Sequence, residues 1–158
     1  AARALEILVY NNPQSAQTAF AMNGLAFIYR ADPQTLIIAK SLVSHALEIC
    51  YRELGQFHLD TAMVMANAAD IHNRCGYPLW AMSLLTRALR VYDNKLVPTH
   101  PAIADALMLM AELCRSANRP CLVKSSLVRA LHIRQSSLGE LHPDTIVSQL
   151  ALKDLSVP

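Results

Sequence analysis

Apolar residues recur along this chain at helical spacing, in pairs of segments separated by a short corner. The stretch from His58 to Leu96 shows the pattern most clearly, with Gly76 and Pro78 between its two halves. Glycine commonly follows the end of a helix, and proline suits the first turn of the next one. The apolar positions fall near i, i+3, i+4 and i+7 in each half: Ala62, Met65, Ala68, Ala69 and Ile71, then Leu79, Leu84, Leu85, Ala88, Leu89 and Val91. The pattern predicts two helices joined by a tight corner.

This helix pair recurs with a period of 42 residues. His58, His100 and His142 are separated by 42 residues each, and proline follows the last two. A second marker, which reads ALEI, ALEI, ALRV and ALHI, begins at Ala4, Ala46, Ala88 and Ala130. Corner sequences also recur, as ADPQ at Ala31–Gln34 and NRP at Asn118–Pro120. Two markers in a fixed phase indicate an array of internal repeats.

Small residues recur in the same register and indicate how the helices approach one another. They lie mid-way along the first helices at Ala26, Ala69 and Ala111, and on the second helices at Ala39, Ala81, Ala46, Ala88 and Ala130. A side chain this small allows two helices to cross closely. One hairpin cannot bury its apolar face alone, so neighbouring hairpins must stack. The predicted fold class is all-α, an α-solenoid of antiparallel helix hairpins.

The period also predicts where each repeat begins and ends. The predicted segments are the end of a preceding repeat at 1–10, full repeats at 14–53, 58–96 and 100–138, and the start of a fourth at 142–158. Terminal repeats normally present a polar outer face to solvent. Neither end of this chain has such a face, so we expect residues 1–158 to be a single domain that is a piece of a longer array.

Composition and charge narrow the classes of partner. The chain is 53% hydrophobic and 16% charged, yet it has no apolar run near the length of a membrane-spanning helix. Its 14 basic and 12 acidic residues are scattered singly, without the basic cluster of a nucleic-acid-binding protein. Four irregularly spaced cysteines do not form a disulfide framework in a chain of this size. We therefore expect a reduced, cytoplasmic protein that neither binds nucleic acid nor inserts into membranes.

The histidines and cysteines do not predict a metal site or a catalytic site. His72 and Cys75 lie three residues apart, but no second close pair accompanies them, as a zinc site would require. The sequence has no G-x-S-x-G, phosphate-binding loop or H-E-x-x-H motif. We expect no catalytic residues, no metal and no cofactor. The periodic histidines are expected to bond a free backbone group where a helix starts.

The repeat resembles the tetratricopeptide repeat (TPR) in the 42-residue form of kinesin light chains. That form has an L-G-x-x-H-P helix start, an A-x-x-L-N-N-L-A-x-L-Y first helix and an A-x-x-L-Y-x-R-A-L-x-I second helix. The matching segments are GLAFIY at 24–29, MANAADIH at 65–72, LLTRALRV at 84–91, LMAELC at 109–114 and SLVRALHI at 126–133. The resemblance implies a right-handed superhelix and a cytoplasmic protein that associates with the cytoskeleton. The chain departs from the pattern at 11–17, NNPQSAQ, which lacks the His-Pro pair.

The resemblance also implies a concave groove lined by the first helices. The groove-facing positions that it implies are Phe20, Asn23, Phe27, Arg30, Met63, Ala66, Asp70, Asn73, Arg74, Asp105, Met108, Glu112 and Arg115. Asn67 matches one asparagine of the pair that contributes to peptide binding in the family. Aromatic, methionine and arginine side chains in such a groove suit an extended or helical peptide. TPR domains that hold a chaperone carboxylate use basic residues where this chain has Phe27, Asp70 and Glu112, which disfavours that ligand.

We therefore expect a non-enzymatic module that binds a partner protein or peptide, as a scaffold or adaptor. Two alternatives remain open at this stage. The repeats could be permanently buried as a subunit of a large assembly, which the low charge content suits. They could also regulate an enzyme that lies elsewhere on the same chain.

Overall fold

The computed structural model of the protein describes residues 10–155, with the side chains of residues 120 and 121 excepted. Seven α-helices and no strands are present in this part of the chain. They are α1 (Ala16–Tyr29), α2 (Leu36–Glu53), α3 (Leu59–Arg74), α4 (Pro78–Lys95), α5 (Pro101–Ser116), α6 (Pro120–Leu138) and α7 (Pro143–Asp154). Tyr10 and Asn11 are also helical, while the rest of the helix end predicted at 1–10 lies outside the described residues.

The chain divides into two compact units, and the boundary lies between Val91 and Tyr92, within α4. In unit 1, which ends at Val91, α1 packs against α2, α2 packs against α3, and α1 also contacts α3. In unit 2, which begins at Tyr92, α5 packs against α6 and α6 packs against α7. Short corners join the packed helices, so consecutive helices within a unit run antiparallel. The repeat boundaries themselves stay predictions.

The periodic histidines begin three first helices in the same way. His58, His100 and His142 have extended backbone at the N-cap positions of α3, α5 and α7. In each case Nδ1 accepts a hydrogen bond from the backbone N–H two residues later, at 3.2 Å. This bond satisfies one of the free N–H groups at the helix start, which confirms the predicted role of the histidines. At the start of α1, Ser15 takes the place of histidine and accepts a hydrogen bond from the N–H of Thr18.

Two corners use a left-handed residue to turn the chain. Gly76 has a φ of 84°, and the N–H of Tyr77 donates to the carbonyl of His72 at 2.9 Å. Asn118 has a φ of 55° at the equivalent corner in unit 2, where the N–H of Arg119 donates to the carbonyl of Cys114 at 2.7 Å. These hydrogen bonds close the last turns of α3 and α5 in the Schellman pattern. Asparagine tolerates this conformation better than most other side chains.

The recurrent small residues are buried where the prediction places them. Each is at most 2% exposed: Ala26, Ala39, Ala46, Ala69, Ala81, Ala88, Ala111 and Ala130. Branched and straight apolar side chains surround them, including the fully buried Val43, Met65, Leu85 and Leu113. Small residues at the helix contacts and larger ones beside them give a close-packed core. Among the described helices, none combines the length and the apolar character needed to cross a membrane.

Candidate functional site

The first helices of unit 1, α1 and α3, are joined by an ion network at their C-terminal ends. Arg30 Nη1 lies 2.8 Å from Asp70 Oδ2, and Arg74 Nε lies 2.9 Å from Asp70 Oδ1. The Asp70 side chain is only 13% exposed, whereas that of Arg74 is 47% exposed. Two guanidinium groups therefore share one carboxylate, and the network keeps a net charge of +1.

An aromatic ring adjoins this network. The guanidinium carbon of Arg30 lies 3.6 Å from the centroid of the Phe27 ring, in cation–π geometry. Phe27 is nevertheless 48% exposed, so part of its ring faces solvent. The C-terminal ends of α1 and α3 thus present an aromatic surface next to a positive charge.

Two asparagines join α1 and α3 further from the corner. Asn67 Nδ2 donates to Asn23 Oδ1 at 3.1 Å. Asn23 is only 6% exposed, and the two side chains satisfy part of each other's hydrogen-bonding capacity. Asn23 therefore lies in the seam between the helices, although the resemblance implies a groove-facing position.

The other predicted positions of unit 1 differ in exposure. Met63 is exposed and lies two turns before Asp70 on α3, and the half-buried Phe20 lies two turns before Phe27 on α1. Residues seven apart share one face of a helix. Ala66 and Asn73 are half-buried. We define the groove surface of unit 1 as the face formed by Phe20, Phe27, Arg30, Met63, Asp70 and Arg74.

In unit 2 the predicted positions form a different arrangement. Asp105 on α5 is paired with Arg134 of α6, whose Nη2 lies 2.8 Å from Asp105 Oδ1. Met108 is half-buried, and its Sδ lies 3.5 Å from Ser148 Oγ on α7. Glu112 and Arg115 are exposed in the last turns of α5. These four positions contain no aromatic residue next to an arginine.

Arg134 is a buried charged residue of unit 2 that sequence reasoning missed. It is 8% exposed, and its Nη1 donates to the carbonyl of Asp144 and to Ser148 Oγ, both at 2.9 Å. Its guanidinium therefore holds both α5 and α7. The repeat register could have indicated that Arg134 is buried, because the positions 42 residues apart that precede it are Cys50 and Tyr92, and both are buried. An arginine at such a position requires buried partners.

Two titratable groups of the core, the Cys50 thiol and the Tyr92 phenol, are held in their neutral forms. Burial, with the nearby Asp60 carboxylate, raises the pKa of Cys50 to about 11. Burial, with the Asp105 carboxylate, raises the pKa of Tyr92 to about 12. These shifts suppress the thiolate and phenolate forms that a nucleophile would need. The described residues also contain no group of three His, Cys, Asp or Glu side chains placed to hold a metal ion.

Comparisons with known proteins identify the fold. No family model and no curated protein matches the sequence. Two crystal structures match, the Q17M form and a second form of the nearly identical TPR-like repeats of a Podosopora anserina protein described as a kinesin light chain. They have TM-scores of 0.82 and 0.80, 18% identity, and coverage of 97% of this chain and 72% of theirs. BtubC (BKLC) from P. vanneervenii matches with a TM-score of 0.71 and 20% identity, over 86% of this chain and 54% of its own.

These likenesses confirm the predicted fold class. The protein has a TPR-like fold, a right-handed α-solenoid of antiparallel helix hairpins of the kind seen in the kinesin light chain repeats. Stacked helix hairpins of this kind present extended surfaces.

Proposed function

We propose that this protein is a non-catalytic scaffold or adaptor module that binds a peptide segment of a partner protein on the groove surface of unit 1. The module needs no cofactor, acts in the cytoplasm, and binds neither nucleic acid nor membrane. Association with the cytoskeleton belongs to the same proposal, through the kinesin light chain likeness. Asn73 is a secondary contact of unit 1 in this proposal, and the predicted groove residues Asp105, Met108, Glu112 and Arg115 are proposed as binding positions of unit 2 in its own right.

One observation carries the proposal, the sharing of Asp70 between Arg30 and Arg74. The two guanidinium groups are fixed by the carboxylate they share, yet one positive charge stays uncompensated. A partner carboxylate can bind there without reorganising the arginines, and preorganised groups lose less entropy on binding. The exposed part of the Phe27 ring supports an apolar contact beside that charge.

A peptide library tests this function. We would select random 16-residue peptides displayed on phage against the wild-type protein and measure binding of the enriched peptides by fluorescence anisotropy. The key variant combines Arg30→Gln, Asp70→Asn and Arg74→Gln, so that no charge is left without its partner. We call it the neutral triple variant. We expect the enriched peptides to contain Asp or Glu, and to bind the neutral triple variant at least about tenfold more weakly, since one charged hydrogen bond is worth ~1.5–3 kcal/mol.

The matched control is Arg52→Gln on the exposed side of α2. Arg52 is also paired with an acidic residue, Glu53, and is half-exposed like Arg74. Its replacement should leave peptide binding unchanged. Equal affinity of the peptides for wild type and for the neutral triple variant would contradict the proposal, provided that circular dichroism shows both to be folded.

The alternative, a module permanently buried in a larger assembly, is favoured by a different observation. Several large apolar side chains of unit 1 lie at its surface, including Ile28, Ile37 and Leu79. They lie outside the groove surface.

A further inference from the structure

A second surface of unit 1 carries exposed apolar residues at the corners of its hairpins. On α2, Ile37 is 71% exposed, and on α4, Leu79 and Trp80 are 65% and 59% exposed. Tyr77, in the corner that precedes α4, is 51% exposed. Contiguous exposed apolar residues mark interaction sites far more often than single exposed ones do.

Direct contacts join Lys40, Tyr77 and Trp80 through His72, and Ile37 and Leu79 lie beside them in the sequence of their helices. Lys40 Nζ lies 4.5 Å from the centroid of the Tyr77 ring, which joins the start of α2 to the corner before α4. Ile37 lies one turn before Lys40, on the same side of α2. The His72 ring packs edge-on against Tyr77 and Trp80, at centroid distances of 6.3 and 6.4 Å. We name Ile37, Lys40, Tyr77, Leu79 and Trp80 the corner surface.

The apolar residues follow the repeat register, whereas exposed polar residues occupy another register nearby. Ile38 and Trp80 are 42 residues apart and both are exposed, and Leu122, at the same position in unit 2, is 44% exposed. Three residues further along, the exposed register positions are all serine: Ser41, Ser83 and Ser125. The first turns of the second helices therefore carry exposed apolar residues, whereas the exposed positions three residues later carry serine.

The corner surface carries one charged residue, Lys40, and Asp32, in the corner before α2, accepts a hydrogen bond from the N–H of Gln34. Neither α2 nor α4 has an acidic residue in its first turn. Thr35, the N-cap residue of α2, makes no side-chain hydrogen bond to the start of this helix, because its hydroxyl donates to the carbonyls of Tyr29 and Asp32. The N-terminal ends of both helices carry the positive end of the helix dipole. The Lys40 ammonium lies against the ring of Tyr77, the residue that precedes α4.

We propose that the corner surface docks a partner segment that presents large apolar side chains on one face and acidic side chains beside them. The apolar side chains would cover Ile37, Leu79 and Trp80, and the acidic ones would meet Lys40 and the helix N-termini. An electrically neutral apolar partner would leave that positive potential without a counterpart. The corner surface and the groove surface have no residue in common.

Two synthetic 18-residue peptides provide the probe. Both have Leu or Trp at i, i+3, i+4 and i+7, and their other positions are filled with Glu in one peptide and with Lys in the other. We expect the Glu peptide to bind the wild-type protein in fluorescence anisotropy, and the Lys peptide to bind at least about tenfold more weakly. The double change Leu79→Ser and Trp80→Ser, and separately Lys40→Glu, should each weaken the Glu peptide by about tenfold or more, the scale of one lost anchor or charge contact.

Three controls test whether binding of the Glu peptide is specific to the corner surface. Phe57→Ser removes a side chain that is also 71% exposed, but lies in the joint between α2 and α3, and it should leave binding unchanged. Arg52→Gln, on the exposed side of α2 and outside both surfaces, should also bind the Glu peptide normally. Vesicles with phosphatidylserine should not compete with the Glu peptide, because the predicted partner is a protein segment.

Other results would overturn the proposal. These are equal binding of the Glu and Lys peptides, no binding of either, and the same loss from Phe57→Ser as from the Trp80 double change. Competition by phosphatidylserine vesicles that depends on Trp80 would assign the surface to a membrane instead. Leu79, Trp80 and Phe57 are exposed and Lys40 is half-buried, so none of the replacements removes a core side chain, and circular dichroism of each variant tests that it is folded.

Discussion

The two units join their first helices by different polar contacts. In unit 1, Arg30 and Asp70 connect α1 directly to α3, and Arg74 and Phe27 leave part of that contact open to solvent. In unit 2, a residue of the second helix, Arg134, connects α5 to α7 from a position that is 8% exposed.

In our proposal, the difference separates the arginines of unit 1, which bind a partner, from Arg134 of unit 2, which stabilises the fold. A guanidinium that is partly open to solvent, such as that of Arg74, can accept a further carboxylate partner at little cost while it keeps its first one. A buried guanidinium cannot be left without its acceptors, and its removal also leaves polar groups such as Ser148 Oγ with fewer partners. The same fold therefore supports both uses, and burial decides between them.

The largest expected effect tests the buried arginine. Arg134→Met removes three hydrogen bonds, to Asp105, Ser148 and the carbonyl of Asp144. The aliphatic part of the side chain is retained, so the loss reflects mainly the polar contacts. We expect the free energy of unfolding in urea, followed by circular dichroism, to fall by about 2 kcal/mol.

Arg129→Met on the same helix is the control for that change. Arg129 is paired with Asp93, but its side chain is 46% exposed. Exposed ion pairs contribute ~0–1 kcal/mol, so this variant should unfold within about 1 kcal/mol of wild type. Equal losses from the two variants would remove the distinction between buried and exposed arginines.

The next effect concerns a feature that both units share. His58→Ala in unit 1 and His142→Ala in unit 2 each remove one N-cap hydrogen bond of 3.2 Å. Each should lower the free energy of unfolding by about 1 kcal/mol, and replacement by Asn should restore most of it, because Asn is a strong N-cap residue. Urea unfolding of the four variants is the measurement. A loss in one unit only would show that the caps are not equivalent, and would extend the contrast between the units to their helix starts.

A third comparison concerns the corner residues with left-handed backbone, Gly76 in unit 1 and Asn118 in unit 2. Gly76 has a φ of 84°, and no atom lies within 4 Å of where its Cβ would be, so the cost of Gly76→Ala comes from the backbone alone. We expect that change to destabilise the protein by about 1 kcal/mol, and Gly76→Asn to cost less. Asn118→Gly in unit 2 should change stability by only a few tenths of a kcal/mol, since asparagine already adopts this conformation. If Gly76→Ala costs nothing in urea unfolding, the left-handed corner is not required.

The smallest effect is a pH dependence in unit 1. Burial, with the nearby Lys40 ammonium, lowers the pKa of His72 in the folded state. The unfolded chain therefore binds a proton at His72 more tightly than the folded chain does. The stability that depends on a neutral His72 is complete above the ordinary histidine pKa, and it is lost as the pH falls towards the lowered pKa of the folded state. His72→Phe should therefore show a shallower fall in the urea midpoint between pH 7 and pH 5 than wild type, and an unchanged slope would contradict this assignment.

Sequence periodicity was sufficient to predict the fold and several local features. The 42-residue register located the helix pairs, the histidine caps and the turn at Gly76, because each depends on residues within a few positions of one another. The buried small residues followed from the same register, since every repeat must solve the same packing problem.

The side-chain partners could not be predicted in the same way. Asn23 pairs with Asn67 and Arg134 with Asp105, across sequence separations of 44 and 29 residues. Such pairs depend on the crossing of two helices and on rotamers, and a periodic pattern contains neither. The corner surface was missed for a related reason. The periodicity places Leu79 on the apolar face of its helix, and only the structure shows this side chain exposed.

The dissociation constant of a library-selected peptide, measured against wild type and the neutral triple variant, tests the central claim most directly. The claim is that Arg30 and Arg74 are held by Asp70 for a partner. The account predicts binding to the variant that is weaker by about tenfold or more, with the helical circular dichroism signal unchanged. Equal dissociation constants for the two folded proteins would contradict it.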